Sequence, residues 1–201
     1  MSFTKKTLIS AYSTPWATCI ADIDADGEND VVGASLSGNT VNWFKNNGSE
    51  TFTKYNVDTS FNNGITVQCI DIDDDLDIDV IAGSRVNSGV ALYLNNGSGT
   101  FSEIAVSSTP YVEEVYAVDL DGDGDKDILS GDATNDTVYW YDNNGSESFT
   151  QRIVNSSFTN PRAVRPGDLN NDGNMDVIAG TSSGGQEGND RLEWFISSGA
   201  D

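Results

Sequence analysis

The chain repeats itself. Four nine-residue stretches, DIDADGEND at 22–30, DIDDDLDID at 71–79, DLDGDGDKD at 119–127 and DLNNDGNMD at 168–176, begin 49, 48 and 49 residues apart. A period of this size constrains the fold more than any local propensity. Each copy must be one supersecondary unit that buries its apolar face against its neighbours.

Aligned on the acidic stretches, the copies share a grammar. An apolar-leaning segment precedes each: Ala17 to Ala21, Thr66 to Ile70, Val115 to Val118, Ala163 to Gly167. An aliphatic pair and small residues follow, as in Val31-Val32-Gly33-Ala34 and Val80-Ile81-Ala82-Gly83. After a polar turn comes a bulky segment, such as Val41-Asn42-Trp43-Phe44 or Val138-Tyr139-Trp140-Tyr141. Then Asn-Asn-Gly-Ser stands at 46–49, 95–98 and 143–146, a hairpin signal because Asn and Gly tolerate positive φ. A last segment opens with Phe52, Phe101 or Phe149. Each repeat thus reads as four short antiparallel strands, and no stretch sustains a helical period. The expectation is an all-β, single-domain β-propeller of four four-stranded blades, about 16–59, 65–108, 112–156, and 162–199 completed by 2–10.

That last assignment comes from the ends. The final repeat stops inside its third turn, and Phe3-Thr4-Lys5-Lys6 matches the fourth strand that starts at Phe52 or Phe149. The N-terminal strand is expected to complete the last blade and close the ring within one chain. The alternative is an eight-bladed ring closed between two chains, so the chain is a monomer or a homodimer.

The formal charge is −22, and nineteen of the 32 acidic residues lie in the four stretches. Charge so localised points to bound cations, since close carboxylates repel one another when nothing neutralises them. Such acidity argues against nucleic acid or anionic membrane as partners, and no apolar run is long enough for membrane insertion. Histidine is absent, which removes the commonest general acid/base. Cys19 and Cys69 can pair only if their Cα atoms lie within ~7 Å; the favoured reading is two small buried apolar side chains.

Oxygen ligands at alternate positions, with glycine at position 6 in three of four loops, suit Ca²⁺, which takes about 6–8 oxygens. An EF-hand is excluded: position 12 would need Glu, and Gly33, Ala82, Ser130 and Ala179 stand there. The loops at 22–30 and 119–127 are complete. The loop at 71–79 has Leu76 in place of glycine, and the loop at 168–176 carries fewer charges.

The pattern D-x-D-x-D-G-x-x-D followed by V-[VI]-x-[GA] resembles the FG-GAP/VCBS repeats, calcium-binding propeller repeats similar to those of integrin alpha-chain heads. The resemblance implies calcium held by the side chains at loop positions 1, 3, 5 and 9 and the carbonyl at position 7. By position these are Asp22, Asp24, Asp26, Glu28 and Asp30; Asp71, Asp73, Asp75, Asp77 and Asp79; Asp119, Asp121, Asp123, Asp125 and Asp127; and Asp168, Asn170, Asp172, Asn174 and Asp176. Up to four Ca²⁺ ions are expected, one per repeat. Propellers of this family usually have seven or eight blades, so the ring size stays open.

Strand direction puts the calcium loops and Asn-Gly turns on one face and the remaining connections on the other. The second face varies more between repeats and carries Trp16, Arg85, Tyr111, Arg162 and Arg191 as candidate ligand residues. The favoured function is a non-enzymatic, calcium-stabilised recognition or adhesion module for a glycan or protein, secreted or at the cell surface. The alternatives are a calcium-dependent polysaccharide-active enzyme, for which Glu113 and Glu114 are the only cluster to test, and a purely structural repeat domain.

Overall fold

The computed structural model describes residues 1–109, 111–182 and 190–199. Among them are fifteen strands and no helix. The first sheet holds β1 (Pro15–Ala21), β2 (Asp30–Ser35), β3 (Thr40–Asn46) and β4 (Phe52–Asp58). The second holds β5 (Gly64–Ile70), β6 (Asp79–Ser84), β7 (Val90–Asn95) and β8 (Phe101–Ser107). The third holds β9 (Val112–Val118), β10 (Asp127–Asp132), β11 (Thr137–Asn143) and β12 (Phe149–Asn155). The fourth holds β13 (Pro161–Gly167), β14 (Asp176–Thr181) and β15 (Leu192–Phe195). Each sheet runs in sequence order with antiparallel neighbours.

The second strand of each sheet is packed on both faces, which is why its residues are aliphatic or small without alternation. β6 and β10 are buried along their whole length. Sheets stack face to face in chain order, and the pairing is regular. One face of sheet one (Val32, Val41, Trp43) meets the opposite face of sheet two (Val80, Ala91, Tyr93). The other face of sheet two (Ile81, Val90, Leu92) meets Ile128, Tyr139 and Tyr141 of sheet three. Leu129 and Val138 of sheet three then meet Val164, Val177 and Ala179 of sheet four.

Cys19 and Cys69 form a disulfide, with Cα atoms 5.8 Å apart, which corrects the expectation of two unbridged side chains. Their separation is 50 residues, one more than the 49-residue spacing of the first two acidic loops. Side chains on a strand alternate faces. The extra residue therefore puts Cys69 on the face of sheet two that looks at the Cys19 face of sheet one.

The expected fourth strand of sheet four is not formed from the N-terminus. Residues 1–14 contain no strand, and they lie along sheet one, where Lys6 pairs with Glu50 at 2.6 Å. Tyr12 fixes this course. Its hydroxyl donates to the Gly33 carbonyl at 2.8 Å, and its ring meets Phe44 edge-on at 5.2 Å. Sheets one and four do not pack face to face as consecutive sheets do. Among the described residues, therefore, no ring is closed within the chain.

Candidate metal loops and the opposite face

Each acidic loop links the first strand of a sheet to the second and is wound by its own backbone. Positions 4 and 6 are left-handed in every copy: Ala25 and Gly27, Asp74 and Leu76, Gly122 and Gly124, Asn171 and Gly173. These turns aim backbone N–H groups at the position-1 carboxylate. Asp22 accepts from Asp26 and Gly27, Asp119 from Gly122 and Gly124, and Asp168 from Asp172 and Gly173, at 2.7–3.1 Å. In the second loop the Leu76 amide makes the equivalent bond to Asp71 at 3.0 Å. Leu76 thus keeps the glycine geometry, at φ 77°.

The position-9 aspartates are fully buried. Each clamps the loop to the end of the third strand. Asp79 accepts from the Ile72 amide at 3.0 Å and the Asn95 amide at 2.8 Å, and Asp127 accepts from Leu120 and Asn143 at the same distances. Asp30 binds Ile23 and Asn46 and also the Trp43 indole N–H at 2.9 Å; Asp176 binds Leu169 and Ser197. Burial pushes Asp79 and Asp127 up to about 6. A carboxylate oxygen has a second lone pair, so these bonds leave coordination capacity.

In three loops the carboxylates at positions 1, 3 and 9 converge. Asp22, Asp24 and Asp30 each offer an oxygen within 4.8 Å of the others, as do Asp71, Asp73 and Asp79, and Asp119, Asp121 and Asp127. Asp24 Oδ1 and Asp71 Oδ1 are buried there without a hydrogen-bond partner. A buried carboxylate oxygen without a donor is costly, and a cation between the three groups removes the cost. An all-oxygen, multiply charged set of this kind suits a hard divalent cation.

The position-5 carboxylates and the position-7 side chains lie outside these three-carboxylate groups. The position-5 residues Asp26, Asp75, Asp123 and Asp172 are exposed and accept the position-7 amide at 2.8–3.0 Å. At position 7 the resemblance implies the backbone carbonyl as ligand, and the side chains there turn to the neighbouring hairpin. A Cβ on Gly97 would come within 2.5 Å of Asp77 Oδ1, and one on Gly145 within 2.4 Å of Asp125 Oδ2. Glu28 and Asn174 take the same place beside Gly48 and Gly199. In the fourth loop, Asn170 stands where the others carry a third aspartate, and its amide donates to Asp172 Oδ2 at 2.7 Å.

The first loop differs in a way its motif does not reveal. Lys45 reaches it from β3, pairing with Asp24 and with Asp26 Oδ2 at 2.8 Å. That contact holds the Asp26 carboxyl below its ordinary range. Leu94, Asp142 and Ile196 occupy the equivalent positions, so no lysine reaches the other loops from that place, although Lys126 pairs with Asp74 of the second loop.

At the opposite end of the inner strands, four of the five predicted ligand residues converge. Arg85 lies over the Trp16 ring at 5.0 Å and the Tyr111 ring at 5.8 Å. Glu113 joins the set, accepting from Arg85 at 3.0 Å and pairing with Arg162. Arg191 stands apart, over Phe158 and paired with Glu193 at 3.1 Å. Most of the long turn that precedes it, 183–189, is outside the described residues. The convergence has a backbone cause. A β-bulge opens each inner strand and leaves Trp16, Ile65, Glu113 and Arg162 unpaired, at one repeat position. Bulges re-aim side chains. Glu113 was legible only as a charge, since the bulge that directs it has no residue signature.

Comparison with known proteins adds the following. No curated protein matches the sequence. Among solved structures, an Agrocybe aegerita lectin that recognises non-reducing terminal N-acetylglucosamine matches at 23% identity, over 90% of this chain and 53% of that one, with TM-score 0.57. The V. cholerae biofilm matrix protein Bap1 matches at 16% identity over 83% of this chain and 28% of its own, TM-score 0.52. BBS1N, solved with ARL6DN, matches at 12% identity over 95% and 58%, TM-score 0.56. This chain therefore spans about half, or less, of the structures it resembles, and the likeness is one of a propeller-like all-β fold. A model of the FG-GAP-like repeat matches twice, at residues 71–130 and 119–179. Those matches cover more than half of the chain and take in three of the four acidic loops, so the chain belongs to the FG-GAP-like repeat family.

Proposed function

We propose that the protein is a non-enzymatic, calcium-stabilised β-propeller module that recognises a glycan or protein outside the cell. The observation that carries the reading is the Trp16–Arg85–Tyr111 group. Trp16 is half exposed beside a guanidinium it already stacks on, and it sits at the end of the sheets away from the metal loops. An exposed aromatic face next to fixed hydrogen-bonding groups suits the apolar face and hydroxyls of a sugar ring, or an aromatic or charged peptide side chain. The lectin and the biofilm matrix protein among the structural matches are in keeping with this reading.

Calcium has a structural role in this proposal. It neutralises the three-carboxylate groups and ties the first strand of each sheet to the second and third. The Cys19–Cys69 bridge supports an extracellular setting, because disulfides persist in oxidising compartments. Against catalysis, Glu113 is held by two arginines, while Glu114 pairs with Arg165 and accepts the Val164 amide at 2.9 Å. Neither carboxylate is free to shuttle a proton.

The test is a glycan array and a protein pull-down in 1 mM-range calcium, each with wild type and Trp16→Ala. Binding by wild type that Trp16→Ala abolishes at unchanged melting temperature supports the reading. Binding that survives Trp16→Ala moves the site elsewhere.

A further inference from the structure

The stacked sheets leave one socket unfilled. In the seam between sheets one and two, the first residue of the fourth strand, Phe101, packs with Ile23, Trp43, Val57, Val80 and Tyr93. Phe149 does the same in the next seam. Between sheets three and four the equivalent place is a cavity of about 520 Å³, lined by Leu120, Trp140, Val154, Met175, Val177 and Phe195. These residues occupy the repeat positions of Ile23, Trp43, Val57, Ile78, Val80 and Tyr93. The cavity exists because sheet four has no fourth strand among the described residues.

The missing strand is present in the chain, in another place. Phe3 stands nine residues before Tyr12, as Phe52 stands before Phe61 and Phe149 before Phe158. Tyr12, Phe61 and Phe158 then make the same edge-on contact, with Phe44, Tyr93 and Phe195. The connector into sheet one is therefore already seated as if a fourth strand preceded it. Leu8 falls at the position of Val57, Val106 and Val154, the bulged residues of the complete fourth strands. Yet Phe3 is 88% exposed.

The two ends of the stack also match. Leu192 of sheet four is 76% exposed, whereas Val41, Val90 and Val138 at its position are fully buried against a following sheet. Trp194 and Ile196 on the same face are exposed too. At the other end, Ile20 of sheet one is 69% exposed on the face that packs on a preceding sheet elsewhere. These are the two halves of the contact repeated at every inner seam.

We propose that two copies of the chain join head to tail, residues 3–9 of each adding to β15 of the other as its fourth strand, with Phe3 in the 520 Å³ socket. Two such junctions close a ring of eight sheets with no exposed end. Exchange between copies is favoured over closure within one because sheet four packs on sheet three while residues 1–14 stay with sheet one. The proposal is independent of the ligand reading.

By the register of Lys45 with Thr53, the exchange pairs Ile196 with Thr4. The experiment is the full chain carrying Thr4→Cys and Ile196→Cys, oxidised in calcium, beside wild type and Phe3→Asp analysed by light scattering. The expected results are a covalent dimer of twice 21.5 kDa on a non-reducing gel, a wild-type mass of the same size, and a Phe3→Asp mass of one chain with the strand content kept. A cross-link within one 21.5 kDa chain would overturn exchange in favour of self-closure. No cross-link at all would overturn the socket assignment.

Discussion

The disulfide makes a quantitative prediction. Cys19 and Cys69 close a loop of about 50 residues that contains the whole of β2, β3 and β4 and the first acidic loop. Loop-closure entropy lost from the unfolded chain is about 14 cal/mol/K for a loop of that length, or roughly 4 kcal/mol at 25 °C. Both side chains are only partly buried, at the margin of the seam between sheets one and two, so replacing each with Ala adds little cavity cost. In a chain of this size 1 kcal/mol moves Tm by about 2–4 °C. The Cys19→Ala, Cys69→Ala protein should therefore melt roughly 8–16 °C below wild type in saturating calcium, and wild type in reductant should match it. The assay is thermal and guanidinium unfolding followed by far-ultraviolet circular dichroism, with free thiols counted in the native state. A shift below 2 °C, or two titratable thiols in the untreated native protein, would refute the reasoning.

Three further outcomes are expected. Leu76→Gly should stabilise the protein by about 1 kcal/mol, because the left-handed conformation costs a non-glycine residue about 1–2 kcal/mol and the freer unfolded chain returns part of that; Leu76 is exposed, so no packing is lost, and guanidinium midpoints measure the gain. In chelator, stability should fall as pH rises from about 4 through 6. The folded-state pKa values of Asp79 and Asp127 are raised by burial, so the folded protein holds protons that the unfolded chain releases. Calcium should flatten that slope, and melting curves across the range with and without EDTA check both signs. Asp127→Ala should cost about 2–4 kcal/mol even without metal, since it strands the buried amides of Leu120 and Asn143; an equal loss in calcium and in EDTA separates this clamp from coordination.

The sequence disclosed whatever the repeat expresses as residue type. The strand order, the hairpins and the acidic loops all follow from alternation, Asn-Gly pairs and spaced aspartates. It disclosed less where a role depends on direction. Position-9 aspartates look like further ligands, yet their burial and paired amide bonds make them clamps first. Lys45 appears as an ordinary polar residue of a strand until its reach to Asp24 is known. The bulges that gather Trp16, Glu113 and Arg162 lie in backbone register, which no side chain announces. The Cys19–Cys69 bridge was legible in principle, since one residue beyond the repeat length reverses the face, but only once the sheets are known to stack in chain order. The course of the N-terminal segment is a competition between two docking places for the same residues, and pattern matching cannot weigh them.

The regular pairing of faces has a consequence for how such chains change size. Every seam joins the same two surfaces, so no sheet carries information about how many others the molecule contains. Duplicating one unit, or deleting one, creates no kind of contact that is not already present. In the ring proposed above, size is decided by the short segment that ends the series. A lineage built this way can lengthen or shorten by whole units while its metal loops and inner seams stay under unchanged selection, and only the closing strand must be refitted.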